Sequence, residues 1–279
     1  MKQAARANAE LLNEMKTLSA GPDGFVVWWL GQSGFLIRYQ DEYLLFDPYL
    51  SDSLTKKYAE TDKPHVRMTQ QVIDPAALDF VSIVTSSHNH TDHLDAETLL
   101  PLMHANSELT VLVPAANVEF AANRLDVPPQ RLFGIDAGES HTSGKFTLHA
   151  VPAAHETVER DEEGRCRFLG YVAQFGKWTV YHSGDTMLFD DMVPTLRQWS
   201  IDLAMLPING RAPERRVAGN LWGREAARLA HDIGAKLVIP CHYDMFEFNT
   251  ASPDEFVAAC REWQQPFAVL GNGGHWTID

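Results

Sequence analysis

The chain has 279 residues, of which 45% are hydrophobic, so it is long enough to bury one large core or two small ones. Its 23 basic and 37 acidic side chains give a net charge of −14, which disfavours nucleic acid as a partner. The charge does not exclude a small anionic substrate, because metal ions and local cations reverse the field within a cleft.

No apolar run reaches the ~18 residues that a membrane-spanning helix requires, and the N-terminal residues lack the apolar core of a signal peptide. The three cysteines, Cys166, Cys241 and Cys260, show no paired spacing. We therefore expect a reducing, cytoplasmic environment and no disulfide framework.

The first elements in the chain are a helix and three strands. Apolar side chains recur at helical spacing over residues 4–18, which predicts an amphipathic helix that packs on the rest of the chain. Strands are expected over 25–30, 35–39 and 43–46, and the short turns between them indicate an antiparallel meander. Residues 51–77 are polar and only weakly periodic. Three interpretations of this stretch stay open: part of a substrate-binding rim, a subunit contact or an ordinary surface loop.

A dense group of potential metal ligands follows the next predicted strand. The apolar run 80–85 predicts a buried strand, and a helix with Asp95 as N-cap is expected over 95–103. The loop between them carries four donors in the pattern H-x-H-x-D-H, at His88, His90, Asp92 and His93. Neutral imidazole and carboxylate bind first-row divalent metals. A single metal ion that keeps one coordination position open does not need four ligands from one segment. The loop therefore predicts two adjacent metals.

The remaining pattern alternates strands and helices, without repeats or a linker. Strands are expected over 109–113, 131–135, 145–151, 167–175, 178–182, 203–206, 237–240 and 267–270, and helices over 115–125, 224–233 and 254–263. Further donors stand just past three of these strands, at His155, Asp185 and His242. Since each follows a strand end, all of the donors are expected to converge on one sheet edge.

These motifs and their order resemble those of the metallo-β-lactamase superfamily, over about residues 25–248. The resemblance implies an α/β fold, a four-layer αββα sandwich of two mixed sheets with helices outside. It also implies a single domain over residues 1–279, with the N-terminal helix of residues 1–20 packed on it.

The resemblance further implies a dinuclear site with manganese or zinc as the cofactor. In the assignment that the resemblance implies, one metal is held by His88, His90 and His155, and the other by Asp92, His93 and His242. Asp185 bridges the two metals. Asp47 binds no metal itself and supports the metal loop from the second coordination sphere. Such a pair lowers the pKa of a bridging water, so that hydroxide can attack a carbonyl or phosphoryl centre near neutral pH. Asp92 is the expected proton donor to the leaving oxygen.

Residues 202–210 and 240–246 look most like the L-ascorbate-6-phosphate lactonases, which implies a hydrolase that opens the lactone of a small sugar-like substrate, phosphorylated or not. The flanks of the first motif are shared with lipid phosphodiesterases, which keeps a phospholipid-like or other phosphodiester substrate as an alternative. The non-enzyme alternative is a metal-bound regulatory or binding scaffold. The expected partner is a small molecule, and a homo-oligomer is left open.

Substrate contacts are expected beyond the strand predicted at 203–206. Asn209 and Arg211 follow that strand, so they should lie on the metal edge, where the planar guanidinium of Arg211 would bind a phosphate or carboxylate. A solvated surface charge is the alternative for Arg211. His275 is a candidate for the cleft rim, whereas strand alternation directs Cys241 away from the metals.

Overall fold

Thirteen strands form two sheets in the computed structural model, which describes residues 1–279. In chain order the strands are β1 (Phe25–Gly31), β2 (Gly34–Tyr39), β3 (Glu42–Phe46), β4 (Ile83–Thr85), β5 (Thr110–Pro114), β6 (Phe133–Ile135), β7 (Ser140–Ser143), β8 (Phe146–Pro152), β9 (Leu169–Phe175), β10 (Trp178–His182), β11 (Leu203–Pro207), β12 (Leu237–Cys241) and β13 (His275–Ile278). The first sheet has the order β13-β1-β2-β3-β4-β5-β6, and the second has the order β12-β11-β10-β9-β8-β7.

Seven α-helices accompany the sheets. They are α1 (Asn8–Thr17), α2 (Ser53–Tyr58), α3 (Ala96–Ala105), α4 (Val118–Leu125), α5 (Met192–Leu196), α6 (Gly223–Asp232) and α7 (Asp254–Glu262). Short 3-10 helices lie at Pro75–Ala77, Ala115–Asn117, Pro129–Arg131 and Pro213–Arg215. No helix combines the length and apolar character that crossing a bilayer requires.

Strand alternation divides the buried side chains between two cores. On β1, Val27 and Trp29 belong to the larger core, which includes side chains of both sheets and of α6 and α7. Their neighbours Val26 and Trp28 belong to the smaller core, which includes α1, α3 and α4. Since successive side chains of a strand point to opposite faces, β1 is buried on both. The layer order is therefore helix, sheet, sheet, helix, and the predicted αββα sandwich is confirmed.

Both sheets are mixed, as expected. Strands β3 to β6 run parallel, and β1, β2 and β13 pair antiparallel on the other side of the first sheet. In the second sheet β10, β11 and β12 are parallel, while β7, β8 and β9 are antiparallel to their neighbours. The loops that carry the predicted donors follow the carboxyl ends of β4, β8, β10 and β12.

Several expected elements differ from the structure. The strand predicted at 267–270 is wrong, because only Phe267 makes a bridge, to Val238, and the last strand lies at His275–Ile278 instead. Strand β13 closes the sheet against β1, so His275 lies over the first helix, with Nδ1 2.9 Å from Glu14 Oε1, and not at the cleft rim. The strand Ser140–Ser143 was also absent from the predicted pattern, because its side chains lack an apolar face.

Candidate metal centre

Two clusters of donor side chains meet at the sheet edge. His88, His90 and His155 form the first cluster, and Asp92, His93, Asp185 and His242 form the second. Within each cluster the donor atoms lie within 4.8 Å of one another. The structure therefore brings together all seven side chains that the sequence suggested, although they come from four separate loops.

Asp185 lies between the two clusters. Its Oδ2 is 3.4 Å from His155 Nε2 in the first cluster and 3.2 Å from His242 Nε2 in the second. Its Oδ1 lies 3.3 Å from His93 Nε2. Asp92 is confined to the second cluster, with Oδ2 3.5 Å from His242 Nε2 and 3.8 Å from His93 Nε2. The carboxylate of Asp185 is thus the group whose two oxygens face both clusters.

Supporting groups hold the imidazoles by their other ring nitrogen. Asp47 Oδ2 lies 2.7 Å from Nδ1 of His93, and the two side chains are fully buried. Nδ1 of His155 lies 2.7 Å from the carbonyl oxygen of Gly219, and Nδ1 of His88 lies 3.0 Å from Ser87 Oγ. These contacts leave Nε2 as the atom that each ring presents to the centre, as expected of histidines that bind a metal.

The donor set fits divalent cations. Nε2 of His88 is buried without a hydrogen-bond partner, and an orphaned polar atom of this kind requires an explanation. Burial, with neighbouring histidines, holds the pKa of His88 well below its usual value, and burial lowers that of His90 to about 4. Both rings are therefore neutral at physiological pH, which is the form that coordinates metal.

The carboxylates of the centre are ionised, although they are buried. Burial opposes the charge of Asp185, but His242 and His93 outweigh it and hold its pKa well below the usual range. Burial also raises the pKa of Asp92, but His93 and His242 outweigh burial and hold that pKa well below the usual range. In return, Asp185 and Asp92 raise the pKa of His242 to about 9 against the effect of burial. A cation that binds at the centre replaces the histidine protons as the positive charge that balances Asp92 and Asp185.

Gln32 joins the centre without any signal in its local sequence. It lies in the turn between β1 and β2 with a positive φ of 49°, and it is buried. Its Nε2 donates to Asp92 Oδ2 at 2.7 Å and lies 3.1 Å from His242 Nε2. The sequence marked this segment as a hairpin turn, and a turn glutamine is not a metal-ligand signature. Only the packing of β1 against the metal loops brings it here.

A cavity of about 530 Å³ opens over the two clusters. Its wall includes His90, Asp92, His155, Asp185 and His242 from the donor set. The remaining wall residues are Leu54, Lys57, Tyr58, His65, Asn89, Thr91, Phe120, Arg124, Arg216, Val217, Ala218, Asn220, Phe246, Phe248 and Asn249. The size is that of a small-molecule site. Residues 54, 57, 58 and 65 show that the polar stretch 51–77 contributes one of its walls.

The structure places Asn209 and Arg211, the two predicted substrate contacts, outside the cavity wall. Arg211 donates to both oxygens of Glu225 at 2.7 Å and to the carbonyl of Asn220 at 3.2 Å, and it is absent from the cavity wall. Asn209 is buried behind the wall, where it donates to Asn249 Oδ1 at 3.0 Å. The carboxylate of Glu225, 14 residues further along the chain, occupies the guanidinium of Arg211, and the position of Arg211 after a strand does not reveal this.

Comparison with known proteins identifies the family. Residues 42–243 match the family described as a beta-lactamase superfamily domain. The chain belongs to the metallo-β-lactamase superfamily. A UPF0173 metal-dependent hydrolase of Methanosphaerula palustris is 31% identical over 213 residues, which cover 73% of this chain and 89% of the relative. The chain is thus a UPF0173-family metal-dependent hydrolase, and the expectation of an enzyme is confirmed.

Solved structures share the fold of this superfamily member at low sequence identity. The metallo-hydrolase Igni18 of Ignicoccus hospitalis superimposes with a TM-score of 0.66 at 19% identity, covering 92% of this chain and 99% of that one. An isothiocyanate hydrolase from Delia radicum gut bacteria gives a TM-score of 0.70 at 16% identity, covering 90% and 98%. At such identities the likeness supports the fold alone, because one fold hosts many activities.

Proposed function

We propose that the chain is a dinuclear hydrolase that opens the lactone of a small, sugar-like substrate. The observation that carries the dinuclear part is the contact of Asp185 with His155 on one side and with His93 and His242 on the other. One ion would be held by His88, His90 and His155, and the other by Asp92, His93 and His242, with Asp185 shared.

Manganese or zinc is the proposed metal, because the ligands are nitrogen and oxygen only and no thiolate selects between them. When bound, such a pair acidifies a water and neutralises the charge that develops on the attacked group. The protein's own contribution is orientation. Asp47 and the Gly219 carbonyl fix the imidazole rings of His93 and His155, so that both present Nε2 to the centre.

Asp92 is the proposed proton carrier. Its side chain is 16% exposed, borders the cavity and, unlike Asp185, contacts only one cluster. A carboxylate in this position can accept a proton from the attacking water and deliver it to the leaving oxygen. Gln32, which donates to Asp92 Oδ2, holds that carboxylate in place between transfers.

Support for a lactone comes from the resemblance of residues 202–210 and 240–246 to sugar lactonases. The cavity of about 530 Å³ suits a substrate of that size. A phosphodiester is the alternative, since the same pair of metals serves attack on phosphorus. A binding scaffold without catalysis is the third reading, and an open cavity beside the donors argues against it.

Turnover distinguishes these readings. Protein stripped of metal is reloaded with manganese or with zinc and assayed on sugar lactones and on phosphodiesters, with Asp185→Asn as the matched inactive variant. Lactone opening that needs the metal and is lost in Asp185→Asn supports the proposal. Phosphodiester cleavage without lactone opening favours the alternative, and absence of both from metal-loaded protein favours the scaffold.

A further inference from the structure

The cavity wall has a charge balance opposite to that of the chain. The protein carries 37 acidic against 23 basic side chains, yet three cations, Lys57, Arg124 and Arg216, line the cavity. The only carboxylates in the wall are Asp92 and Asp185, which belong to the donor clusters. Once these two serve metal ions, the remaining wall is positive. An acidic protein that keeps its cavity free of other acids favours a negatively charged occupant.

The three cations differ in how they are held. Arg124 donates to the carbonyl oxygens of Asn89 at 2.6 Å and Leu94 at 3.2 Å, so it fastens the metal loop. Arg216 pairs with Asp62 at 2.7 Å. Lys57 takes part in no ion pair, and its Nζ lies 5.2 Å from the ring centre of Tyr58. Among the three wall cations, Lys57 alone has neither an ion pair nor a hydrogen bond within the protein.

Nearby charges extend the positive region outward from Lys57. Lys63 stands beside the wall, with Nζ 5.4 Å from the ring centre of Phe248. Desolvation and the charge of Arg216 lower the pKa of Lys63, and the nearby carboxylates of Asp62 and Glu214 only partly oppose them. His65 stacks on Tyr58 with 4.1 Å between ring centres, and both rings line the cavity beside Lys57. Lys57, Lys63 and Arg216 together form a cationic rim.

We propose that Lys57, with the cationic rim, binds an anionic group of the substrate, a phosphate or a carboxylate, while the bond to be cleaved lies over the donor clusters. This inference rests on the proposed function, whose site it extends. It gives the stretch 51–77 a role, since α2 supplies Lys57 and Tyr58 to the wall. It also moves the anion site from Arg211, whose guanidinium is paired with Glu225, to Lys57 on α2.

The neighbouring lysine provides a matched control. Lys56 lies on the same helix and is exposed like Lys57, but it pairs with Glu97 at 2.7 Å and is absent from the cavity wall. Lys57→Gln and Lys56→Gln remove the same charge and keep a similar side-chain length. Non-specific electrostatic effects on an anionic substrate should therefore be equal in the two variants, and a specific contact should appear only in Lys57→Gln.

The experiment compares metal-loaded wild type and both variants on a hexonic acid lactone with and without a 6-phosphate, and on a matching lactone with a terminal carboxylate. In Lys57→Gln the KM for a charged probe, relative to the neutral probe, should rise about tenfold, the effect of one charge-assisted hydrogen bond from an exposed side chain. In Lys56→Gln this ratio should stay at the wild-type value. The phosphate and carboxylate arms show which anion the rim prefers.

An unchanged ratio in Lys57→Gln, or an equal rise in both variants, overturns the inference. A binding arm separates it from the proposed function. Calorimetric titration of the metal-loaded proteins with glucose 6-phosphate, and with glucose as the neutral match, needs no turnover. If no lactone is opened but the sugar phosphate binds about tenfold more weakly to Lys57→Gln alone, the lactonase proposal fails and the anion site stands. Equal affinities for all three proteins refute the site.

Discussion

Asp47 and His93 form a fully buried carboxylate–imidazole pair, with Oδ2 of Asp47 2.7 Å from Nδ1 of His93. The carboxylate is itself held, because Thr85 Oγ1 donates to Oδ1 at 2.8 Å and the backbone N–H of Ser87 donates at 3.0 Å. The hydrogen bonds connect β3, β4 and the start of the metal loop. The position of Nε2 in His93 is therefore set by the end of β3, the end of β4 and the first residues of the metal loop.

Replacing Asp47 with Asn should weaken metal binding about 10- to 100-fold, because the amide holds the imidazole less firmly and makes it a weaker base. The measurement is competition with a chelator of known affinity. Asp202→Asn is the control, since Asp202 is also buried but accepts from Lys236 Nζ at 2.7 Å, away from the donor clusters. Equal losses of affinity in the two variants would show that the effect is general destabilisation.

Purified protein supplied with manganese or zinc should contain about two ions per chain, because two donor clusters share Asp185. Asp185→Asn removes the shared charge and should lose metal and activity together. Elemental analysis after removal of free metal measures the content. A consistent content of one ion or none in the wild type would refute the dinuclear assignment.

Reloading metal-free protein with manganese or zinc should restore hydrolysis, because nitrogen and oxygen donors accept either ion. Magnesium is a useful comparison, since it prefers oxygen ligands and the first cluster consists of histidines alone. Initial rates with each ion, at equal occupancy, give the order of preference. If neither manganese nor zinc restores activity, the proposed cofactor is wrong.

Arg211→Ala should lower the free energy of unfolding by about 1 kcal/mol or less, because its ion pair with Glu225 is partly exposed. The relative KM for charged and neutral lactones should not change. Urea unfolding and the two-probe assay measure these quantities. Glu225→Gln should give a similar loss of stability, and a selective rise in KM for charged probes in Arg211→Ala would restore the anion site to Arg211.

The contribution of that pair to stability should depend on pH. Burial would raise the pKa of Glu225, but its hydrogen bonds with Arg211 and the Trp222 N–H outweigh burial and lower it. A carboxyl group with a lowered pKa contributes stability that is fully present above its unfolded pKa and is lost as pH falls through the folded value. The difference in stability between wild type and Arg211→Ala should therefore shrink below about pH 4, as measured by urea unfolding across that range.

Gly184 should tolerate no side chain, because its φ is +59° and an added Cβ would lie 2.6 Å from Ser87 Cβ and 2.8 Å from the carbonyl oxygen of Leu169. Gly164 has a φ of +83° with no heavy atom within 4 Å of an added Cβ, so Gly164→Ala isolates the backbone effect at about 1 kcal/mol. Gly184→Ala should destabilise more than this and reduce metal content, since Asp185 follows directly. Equal stability losses with full metal content would contradict the clash.

The sequence determined the elements that carry the donors and the order in which they occur. Apolar runs mark β4, β8, β10 and β12, and a histidine or aspartate follows each run within a few positions. Because strands that run in the same direction in one sheet end at the same edge, this local information predicts that the donors after β8, β10 and β12 meet, whereas the packing of the two sheets brings the loop after β4 to them. The resemblance to the metallo-β-lactamase superfamily then supplied the grouping into two clusters, and the structure brings the same side chains together.

Only the tertiary structure decided the surroundings of the donors. Gln32 reaches Asp92 because a turn of the first sheet lies beside the metal loop, and Glu225 captures Arg211 because α6 packs beside the loop after β11. Lys57 and Lys56 are adjacent and chemically identical, yet one lines the cavity and the other pairs with Glu97. Periodicity and turn residues report the local conformation of the backbone, whereas the partner of a side chain depends on which segments pack against it.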